Sequence, residues 1–317
     1  MKLLVIGYDA VGAELLRSVP AVKDFVVKDL DVEVPLSGPS WFSIYTGLSV
    51  VEHEVYDALG YGDEGSKTYS DLGGRMVWDV LGKAGYTVAL CGLPCAVPPR
   101  EVRGFHASGF PADPLALVWP PELLLPARWL KMVDLGHYGS YLVNRGWGAD
   151  WGQIVSNLGT VADILSMVRS DCVAVAEWFV EHSRQADFGW IAFTFKDRLG
   201  HRWGLTNTVK GACGVIITET LEMLRNLYPE DIMIVSDHSF RPVQKGIGVE
   251  GHTVPAVIAA TSDDLIEGVD SVLDVSSAIL RAFGMPHLVL PCTRATPEEV
   301  AEAESIMMKR LEGLGYV

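Results

Sequence analysis

The sequence lacks long uninterrupted apolar stretches. The N-terminal run Leu3–Ile6 is cut short by Gly7 and Asp9, and it is therefore too short for the core of a signal peptide. No other apolar stretch reaches the length that a bilayer-spanning helix requires. We expect a cytoplasmic protein without a membrane partner.

Basic residues are also scarce. The chain has 25 Lys and Arg against 40 Asp and Glu, which gives a net charge of -15. This balance argues against the basic surface that a nucleic-acid polymer needs, and it disfavours attraction to anionic membranes. An acidic protein that handles phosphate must supply positive charge locally, and bound cations provide it.

Cysteine is rare, and its count is odd. Five cysteines cannot form a fully paired disulfide framework. Cys91 and Cys95 lie close together, but there is no second matching pair to suggest a zinc knuckle. We expect buried thiols rather than metal ligands at these positions.

The sequence does contain a regular alternation of short apolar runs and amphipathic stretches. Its 317 residues are 49% apolar and 21% charged, values typical of a globular chain with one large domain or two smaller ones. The pattern predicts strands near 2–8, 86–91, 188–195, 232–235 and 256–260, and helices near 13–16, 39–45, 76–84, 215–226 and 297–310. Such alternation predicts an α/β fold, a three-layer sandwich around a mainly parallel central sheet.

The segment 96–152 interrupts this rhythm. It is rich in Pro, Gly and Trp, including Trp119, Trp129, Trp147 and Trp151. Loops of this length are usually functional or disordered, and this one is too apolar for disorder. We interpret 1–317 as a single catalytic domain with 96–152 inserted, either as a cap over the substrate pocket or as an elaborated loop with its own small core.

Polar clusters follow the predicted strands. Three of them place an Asp at the carboxyl end of a buried strand, which is the edge where open α/β sheets bind ligands. Three Asp and three His converging there would form two sites of mixed oxygen and nitrogen ligands, which zinc or manganese accepts. The candidate ligands are Asp9, Asp197, His201, Asp237, His238 and His252.

Each of these residues also has a simpler interpretation. An Asp after a strand is commonly a turn residue or a helix cap. Asp197 and His201, four residues apart, could be a surface contact, and His252 could be a loop histidine. The metal hypothesis depends on all of them occurring together at strand ends of one α/β chain.

Ser37 is the candidate nucleophile. It precedes a predicted helix, where backbone N–H groups and the helix dipole favour an anion. A serine alcohol is a weak nucleophile at neutral pH, and a metal at its oxygen would favour the alkoxide. The alternative is that Ser37 merely caps the helix.

Residues 37–47 resemble the nucleophile motif of the type I phosphodiesterase and nucleotide pyrophosphatase branch of the alkaline phosphatase superfamily. The resemblance is carried by Ser37, Pro39, Ser43, Thr46 and Gly47. The order Asp, Ser, Asp-x-x-x-His, Asp-His, His along the chain is also similar to that superfamily. The resemblance extends from residue 9 to about residue 286, leaves the inserted segment uncovered, and implies an alkaline phosphatase-like fold.

The resemblance also implies roles for the candidate ligands. One divalent ion would be bound by Asp197, His201 and His252, and the other by Asp9, Asp237 and His238 with Ser37 alongside. The implied ions are two Zn²⁺, with Mn²⁺ or Mg²⁺ as alternatives. The implied mechanism is in-line attack by Ser37, followed by hydrolysis of a phosphoseryl intermediate.

Three positions depart from the family pattern. Ser37 stands where many diesterase relatives carry Thr, Ala58 stands near an expected phosphate-binding Asn, and Glu54 follows His53 where Gly is usual. These departures leave monoester or diester preference open. Sulfatases carry an arginine where Trp41 stands, which argues against a sulfatase. Side chains that could hold the remaining phosphate oxygens, unless they are simply surface charges, are Lys196, Arg198, Arg202 and Arg241.

The sequence therefore predicts a two-metal phosphoesterase that acts on a phosphodiester or a nucleotide-like pyrophosphate. The alternatives are a phosphomonoesterase or phosphomutase on the same scaffold, and a metal-binding module without turnover. The expected partner is a small phosphorylated substrate. The oligomeric state is left open, with a homodimer among the options.

Overall fold

The computed structural model describes residues 1–57, 65–109, 118–123, 161–203, 205–240, 252–288 and 293–313, and for 201–203 and 310–313 it describes the backbone only. The described strands are β1 Leu3–Tyr8, β2 Val26–Leu30, β3 Val88–Leu93, β4 Gly104–Ser108, β5 Val118–Trp119, β6 Phe188–Phe193, β7 Asp231–Ser236, β8 Ser239–Phe240, β9 His252–Thr253 and β10 Ala256–Ala260. The described helices, numbered in chain order, are α1 Ala13–Ser18, α2 Ser37–Thr46, α3 Val50–His53, α4 Val77–Lys83, α5 Val161–His182, α6 Phe195–Trp203, α7 Asn207–Leu224, α8 Asp263–Ile266, α9 Val275–Ala282 and α10 Pro297–Gly313.

Eight strands form the central sheet in the order β2-β10-β7-β1-β6-β3-β4-β5. The five inner strands from β7 to β4 are parallel, whereas β10, β2 and β5 introduce antiparallel pairs at the two sides. Strands β1, β3 and β6 are buried along their whole length, which explains why they read as continuous apolar runs. The predicted α/β sandwich with a mainly parallel sheet is confirmed.

Helices cover both faces of this sheet. On one face α1, α5 and α7 pack over alternate residues of β1, such as Leu4 and Ile6. On the other face α2, α4 and α9 pack over Leu3 and Val5. A third, smaller apolar cluster attaches α10 to α3 and to the segment before α2. Among the described helices, none combines the length and the apolar character that crossing a membrane requires.

Several predicted boundaries move. Helix α2 begins at Ser37 rather than at Pro39, and α7 begins at Asn207, eight residues before the predicted start. The strand predicted to reach Phe195 ends at Phe193, and α6 begins at Phe195. The C-terminal helix opens as predicted, because Thr296 and Glu299 bond to each other in a reciprocal cap.

Part of the predicted insertion 96–152 belongs to the central sheet. Strand β4 pairs in parallel with β3, and β5 pairs with β4 through His106 and Trp119. The other tryptophans of this segment, at 129, 147 and 151, lie outside the described residues. The proposed cap therefore stays a prediction.

Candidate metal centre

Three aspartates meet at one edge of the central sheet. Asp9 follows β1 directly, Asp237 follows β7, and Asp197 lies in the first turn of α6, just after β6. Because β6, β1 and β7 are adjacent and parallel, their carboxyl ends lie side by side. All three side chains are buried, with exposed fractions of 3%, 0% and 6% for Asp9, Asp237 and Asp197.

His238 joins two of these carboxylates and the Ser37 hydroxyl. Its Nε2 lies 3.5 Å from Asp9 Oδ1 and 3.3 Å from Asp237 Oδ2. Ser37 Oγ lies 3.3 Å from the same Nε2 and 3.4 Å from Asp9 Oδ1. Three separate parts of the sequence thus converge here, and Asp9, Asp237 and His238 form a first group of potential ligands.

A second group lies beside the first. His252, at the start of β9, places Nε2 3.1 Å from Asp197 Oδ1. Its ring stacks on that of His238, with centroids 4.2 Å apart and planes inclined by 23°. Asp197, His238 and His252 offer ligand atoms within 4.8 Å of one another, so His238 connects the two groups. The β8–β9 hairpin accounts for this proximity, because Phe240 pairs with His252.

Backbone carbonyls select the tautomers of both histidines. His238 Nδ1 lies 2.9 Å from Ser239 O, and His252 Nδ1 lies 3.1 Å from Pro35 O. A carbonyl oxygen can only accept, so each Nδ1 carries a hydrogen, and in the neutral ring each Nε2 presents a lone pair. Carbonyl partners of this kind are typical of metal-binding histidines.

The facing atoms in both groups are therefore acceptors. In the neutral tautomer His238 has no hydrogen to donate to Asp237 Oδ2, which has no hydrogen-bond partner among the described residues. A tetrahedral ion with bonds of about 2.0–2.1 Å would space its ligands about 3.3 Å apart, close to the separations around His238. The residues present fit a divalent cation.

The electrostatics lead to the same conclusion. Burial raises the pKa of Asp9 well above its usual value, and repulsion from Asp237 and Asp197 raises it further. Burial likewise raises the pKa of Asp237. Burial, together with the neighbouring His252, lowers the pKa of His238. Without a cation, this edge disfavours the charged form of its own carboxylates, and a bound divalent ion reverses that preference.

Ser37 occupies the first turn of α2, but it is not the N-cap. Leu36 holds that position in extended conformation, so the alternative interpretation of Ser37 as a cap is wrong. The hydroxyl of Ser37 instead faces Asp9 and His238. Gly47 ends the same helix with φ of 71°, a left-handed conformation that glycine adopts without steric cost.

A tight turn after β1 was not predictable from the sequence. Ala10 has φ of 62°, which is unusual for a residue with a side chain. Its N–H donates to Asp237 Oδ1 at 3.3 Å, and its carbonyl oxygen accepts from Lys196 Nζ. The N–H of Val11 donates to Ser236 Oγ at 2.9 Å. Hydrogen bonds thus connect the turn after β1 to the start of α6 and to the end of β7.

Of the other candidates from the sequence, some have side chains outside the description and the rest are buried. His201 lies on α6 one turn after Asp197, but its side chain is outside the description, as are those of Arg202 and Arg241. Lys196 and Arg198 are buried, with exposed fractions of 3% and 8%. Burial lowers the pKa of Lys196 to about 8.

Trp41 and His53, which the motif comparison singled out, pack in the interior. Trp41 is fully buried and lies against β1 at Gly7, where an added Cβ would be 2.8 Å from the Trp41 ring. His53 accepts from Val55 N at 3.0 Å through Nδ1, so its Nε2 donates to Ser43 Oγ at 3.2 Å. Ala58 lies outside the described residues. Cys91 and Cys95 are buried free thiols, as expected.

Solved structures share this fold at low sequence identity. A variant of the alkaline phosphatase of the Antarctic bacterium TAB5 with bound Mg matches with a TM-score of 0.50 and 10% identity, covering 90% of this chain and 98% of that one. A phosphonate monoester hydrolase of Agrobacterium radiobacter matches with a TM-score of 0.50 and 13% identity, covering 90% and 74%. Murine ectonucleotide pyrophosphatase/phosphodiesterase 5 gives a TM-score of 0.44 and 15% identity, covering 79% and 61%.

At these identities the structural matches show the fold alone. No curated protein sequence is significantly similar to the chain. The family model of type I phosphodiesterase/nucleotide pyrophosphatase, however, matches residues 3–265, which include Ser37, the three aspartates and all the candidate histidines. The chain therefore belongs to the type I phosphodiesterase/nucleotide pyrophosphatase family, a family of hydrolases in the alkaline phosphatase superfamily.

Proposed function

We propose that this protein is a two-metal phosphoesterase in which Ser37 is the nucleophile. The observation that carries the proposal is the position of Ser37 Oγ, 3.4 Å from Asp9 Oδ1 and 3.3 Å from His238 Nε2. A hydroxyl that only completed the fold would have a cap or core partner. This one is held among groups whose lone pairs converge.

The two groups of acceptors supply the two metal sites of the proposal. Asp9, Asp237 and His238 would hold one ion next to Ser37. Asp197 and His252 would hold the other, together with His201 one helical turn after Asp197. When bound, divalent ions of this kind stabilise the negative charge on attacking and leaving oxygens. Zinc suits the mixture of carboxylate and imidazole ligands, and manganese or magnesium are the alternatives.

The chain's own residues would prepare the attack in three ways. Asp9 Oδ1 accepts the hydrogen of Ser37, which orients a lone pair of Oγ towards the substrate. The start of α2 adds amide N–H groups and the positive end of the helix dipole beside Oγ. Leu36 and Ser40 fix that start, because Ser40 N donates to Leu36 O at 3.0 Å and Ser40 Oγ to Val34 O at 2.5 Å.

The proposed reaction has two steps. Ser37 Oγ releases its proton to solvent and forms a bond to phosphorus, while the leaving oxygen departs on the opposite side with the bonding electron pair and takes up a proton. Water then cleaves the Ser37–phosphorus ester and restores the hydroxyl. Splitting one difficult displacement into two in this way is the general advantage of a covalent nucleophile.

We assign phosphodiesters or nucleotide-like pyrophosphates as the substrate class. Family membership supports this choice. The side chains of Lys196 and Arg198 also support it. Both are buried, and the Lys196 ammonium is bound to Ala10 O, so it does not offer its charge to a substrate phosphate. A monoester carries an additional negative charge, for which an arginine fork is the usual partner.

Paired assays with one leaving group test the proposal. We would measure kcat/KM for bis-para-nitrophenyl phosphate and for para-nitrophenyl phosphate with zinc-loaded, manganese-loaded and chelator-treated protein. We expect faster diester cleavage that needs metal. A large preference for the monoester would assign the chain to monoester chemistry, and metal binding without turnover of any phosphate ester would leave it a binding module.

A further inference from the structure

Lys196 has an unusual environment for a lysine. Its side chain is 3% exposed, its Nζ donates to Ala10 O, and the ammonium lies 5.7 Å from the centre of the Phe240 ring. Burying an ammonium is costly unless it gains strong partners. Its hydrogen-bond acceptor, Ala10, belongs to the turn that follows Asp9, so the contacts that offset the cost of burial lie beside the candidate metal ligands.

The residue that Lys196 contacts is itself in an uncommon conformation. Ala10 adopts φ of 62°, which disfavours residues that have a Cβ. This conformation directs the Ala10 N–H towards Asp237 Oδ1 and its carbonyl oxygen towards Lys196. An outlier of this kind persists only when surrounding contacts hold it. Lys196 supplies one contact, and Asp237 supplies the other.

The contact also couples the two groups of acceptors. Lys196 immediately precedes Asp197, which belongs to the second group. Ala10 immediately follows Asp9, which belongs to the first group with Asp237. The bond from Lys196 to Ala10 therefore joins the start of α6 to the turn after β1, and the bond from Ala10 to Asp237 continues to the residue that follows β7.

We propose that Lys196 is a positioning residue, which clamps the Ala10 turn and thereby sets the spacing of Asp9, Asp197 and Asp237 for metal binding. The inference rests on the proposed function, because it assumes that these carboxylates bind metal. In this role Lys196 does not bind the substrate phosphate. It acts through the carboxylates that would bind the metal ions.

The direction in which metal affinity changes when Lys196 is replaced distinguishes this role from a purely electrostatic one. An ammonium near two divalent ions repels them, so loss of its charge alone would tighten metal binding. Loss of the clamp would instead let the Ala10 turn relax and weaken metal binding. Removal of supporting contacts of this kind commonly weakens metal affinity about 10- to 100-fold.

The test compares Lys196→Met with Lys210→Met. Methionine keeps an unbranched side chain of similar length but has no N–H donor. Lys210 is a matched control, because it lines the same groove of about 980 Å³ as Lys196 and lies on α7, where it is half-buried. Zn²⁺ affinity would be measured by competition with a chromophoric chelator, and thermal melting of the metal-free proteins would verify folding.

We expect Lys196→Met to bind Zn²⁺ at least about tenfold more weakly than the wild type, and Lys210→Met to bind it within about twofold. Unchanged or tighter Zn²⁺ binding by a folded Lys196→Met variant would overturn the proposal.

A structure of the wild-type enzyme with Zn²⁺ and inorganic phosphate gives an independent test that does not depend on folding of the variant. We expect Lys196 Nζ to remain on Ala10 O, and an Nζ bound to phosphate would refute the clamp. Failure of the proposed function would look different, since the wild type itself would then bind no Zn²⁺ or hydrolyse no ester.

Discussion

At the scale of single residues, Ser37 illustrates how a hydroxyl can be placed for chemistry rather than stability. Leu36 is the N-cap of α2, and the Ser37 hydroxyl faces Asp9 and His238. We predict that Ser37→Ala changes the free energy of unfolding by less than about 1 kcal/mol, because no cap is lost. Turnover of the diester should fall at least about 1000-fold, as for other lost nucleophiles.

Ser43 on the same helix is the matched control. Its hydroxyl accepts a hydrogen bond from buried His53 at 3.2 Å, whereas the Ser37 hydroxyl faces Asp9 and His238. Ser43→Ala should lower the free energy of unfolding by about 0.5–1.5 kcal/mol, because the buried hydrogen bond to His53 is lost. Its turnover should stay within a few-fold of the wild type. Chemical denaturation and steady-state kinetics measure stability and turnover of both variants. Ser37→Ala should lose mainly turnover and Ser43→Ala mainly stability. Wild-type turnover in Ser37→Ala would show that Ser37 is not the nucleophile.

His106 on β4 should make stability depend on pH. Burial lowers its pKa from 6.5 to about 3, and its Nδ1 accepts from Arg100 N at 3.1 Å. Between about pH 3 and pH 6.5, His106 is therefore neutral in the folded chain and protonated in the unfolded chain. The contribution to stability is present above pH 6.5 and is lost as the pH falls below that value.

We therefore predict a smaller acid sensitivity for His106→Asn, whose side-chain oxygen can replace the Nδ1 acceptor. Between pH 7 and pH 5 the wild type should lose about 2 kcal/mol more free energy of unfolding than the variant. Urea unfolding at both pH values measures this difference. Parallel pH dependence in the two proteins would show that His106 takes up no additional proton on unfolding.

At the scale of secondary structure, the packing of α2 on β1 determines where Ser37 lies. Gly7 leaves room for the Trp41 ring, and an added Cβ would lie 2.8 Å from Trp41 Cη2 and 2.9 Å from Ala192 Cβ. We predict that Gly7→Ala destabilises the fold by about 1–3 kcal/mol through overpacking. Because Trp41 lies one turn after Ser37, kcat should also fall, by about tenfold or more.

Gly82 provides the control for this substitution. It lies within α4, and a Cβ there would meet no atom within 4 Å. Gly82→Ala should raise the free energy of unfolding by about 0.5–1 kcal/mol and leave kcat unchanged. Thermal melts and kinetics of both variants test the pair, and equal effects at the two glycines would show that contact with Trp41 is not the cause.

The elements that could be predicted are those whose residues all face the same environment. Strands β1, β7 and β10 are apolar along nearly their whole length, so the sequence pattern alone identified them. Strand β2 was missed because it is an edge strand with Lys28 and Asp29 in its middle. Strand β4 was missed because its apolar run is short and lies among Pro and Gly residues.

The same distinction applies to the site. Asp9, Asp197 and Asp237 could be anticipated because each follows a strand or begins the next helix, and parallel strands end at one edge. The contacts of Lys196 and Ala10 could not, because a left-handed alanine and a bond across 186 residues leave no local pattern. Long-range hydrogen bonds of this kind depend on the completed sheet.

At the scale of the whole molecule, the centre opposes its own folding when no metal is bound. Three buried carboxylates share one edge, and burial with mutual repulsion raises the pKa of Asp9 and Asp237. Ions that bind only the folded chain stabilise it by mass action, by about 2.7 kcal/mol at a free concentration 100 times Kd. Folding and metal binding are therefore expected to be coupled in this protein.

The most direct test is to titrate chelator-stripped protein with Zn²⁺ and to measure turnover of bis-para-nitrophenyl phosphate at each addition. The proposed sites, one formed by Asp9, Asp237 and His238 and the other by Asp197, His201 and His252, predict two ions per chain. Activity should be absent in the stripped protein, rise with added Zn²⁺ and reach its plateau at two equivalents. Full activity in the stripped protein, or a plateau at one equivalent, would contradict the two-metal account.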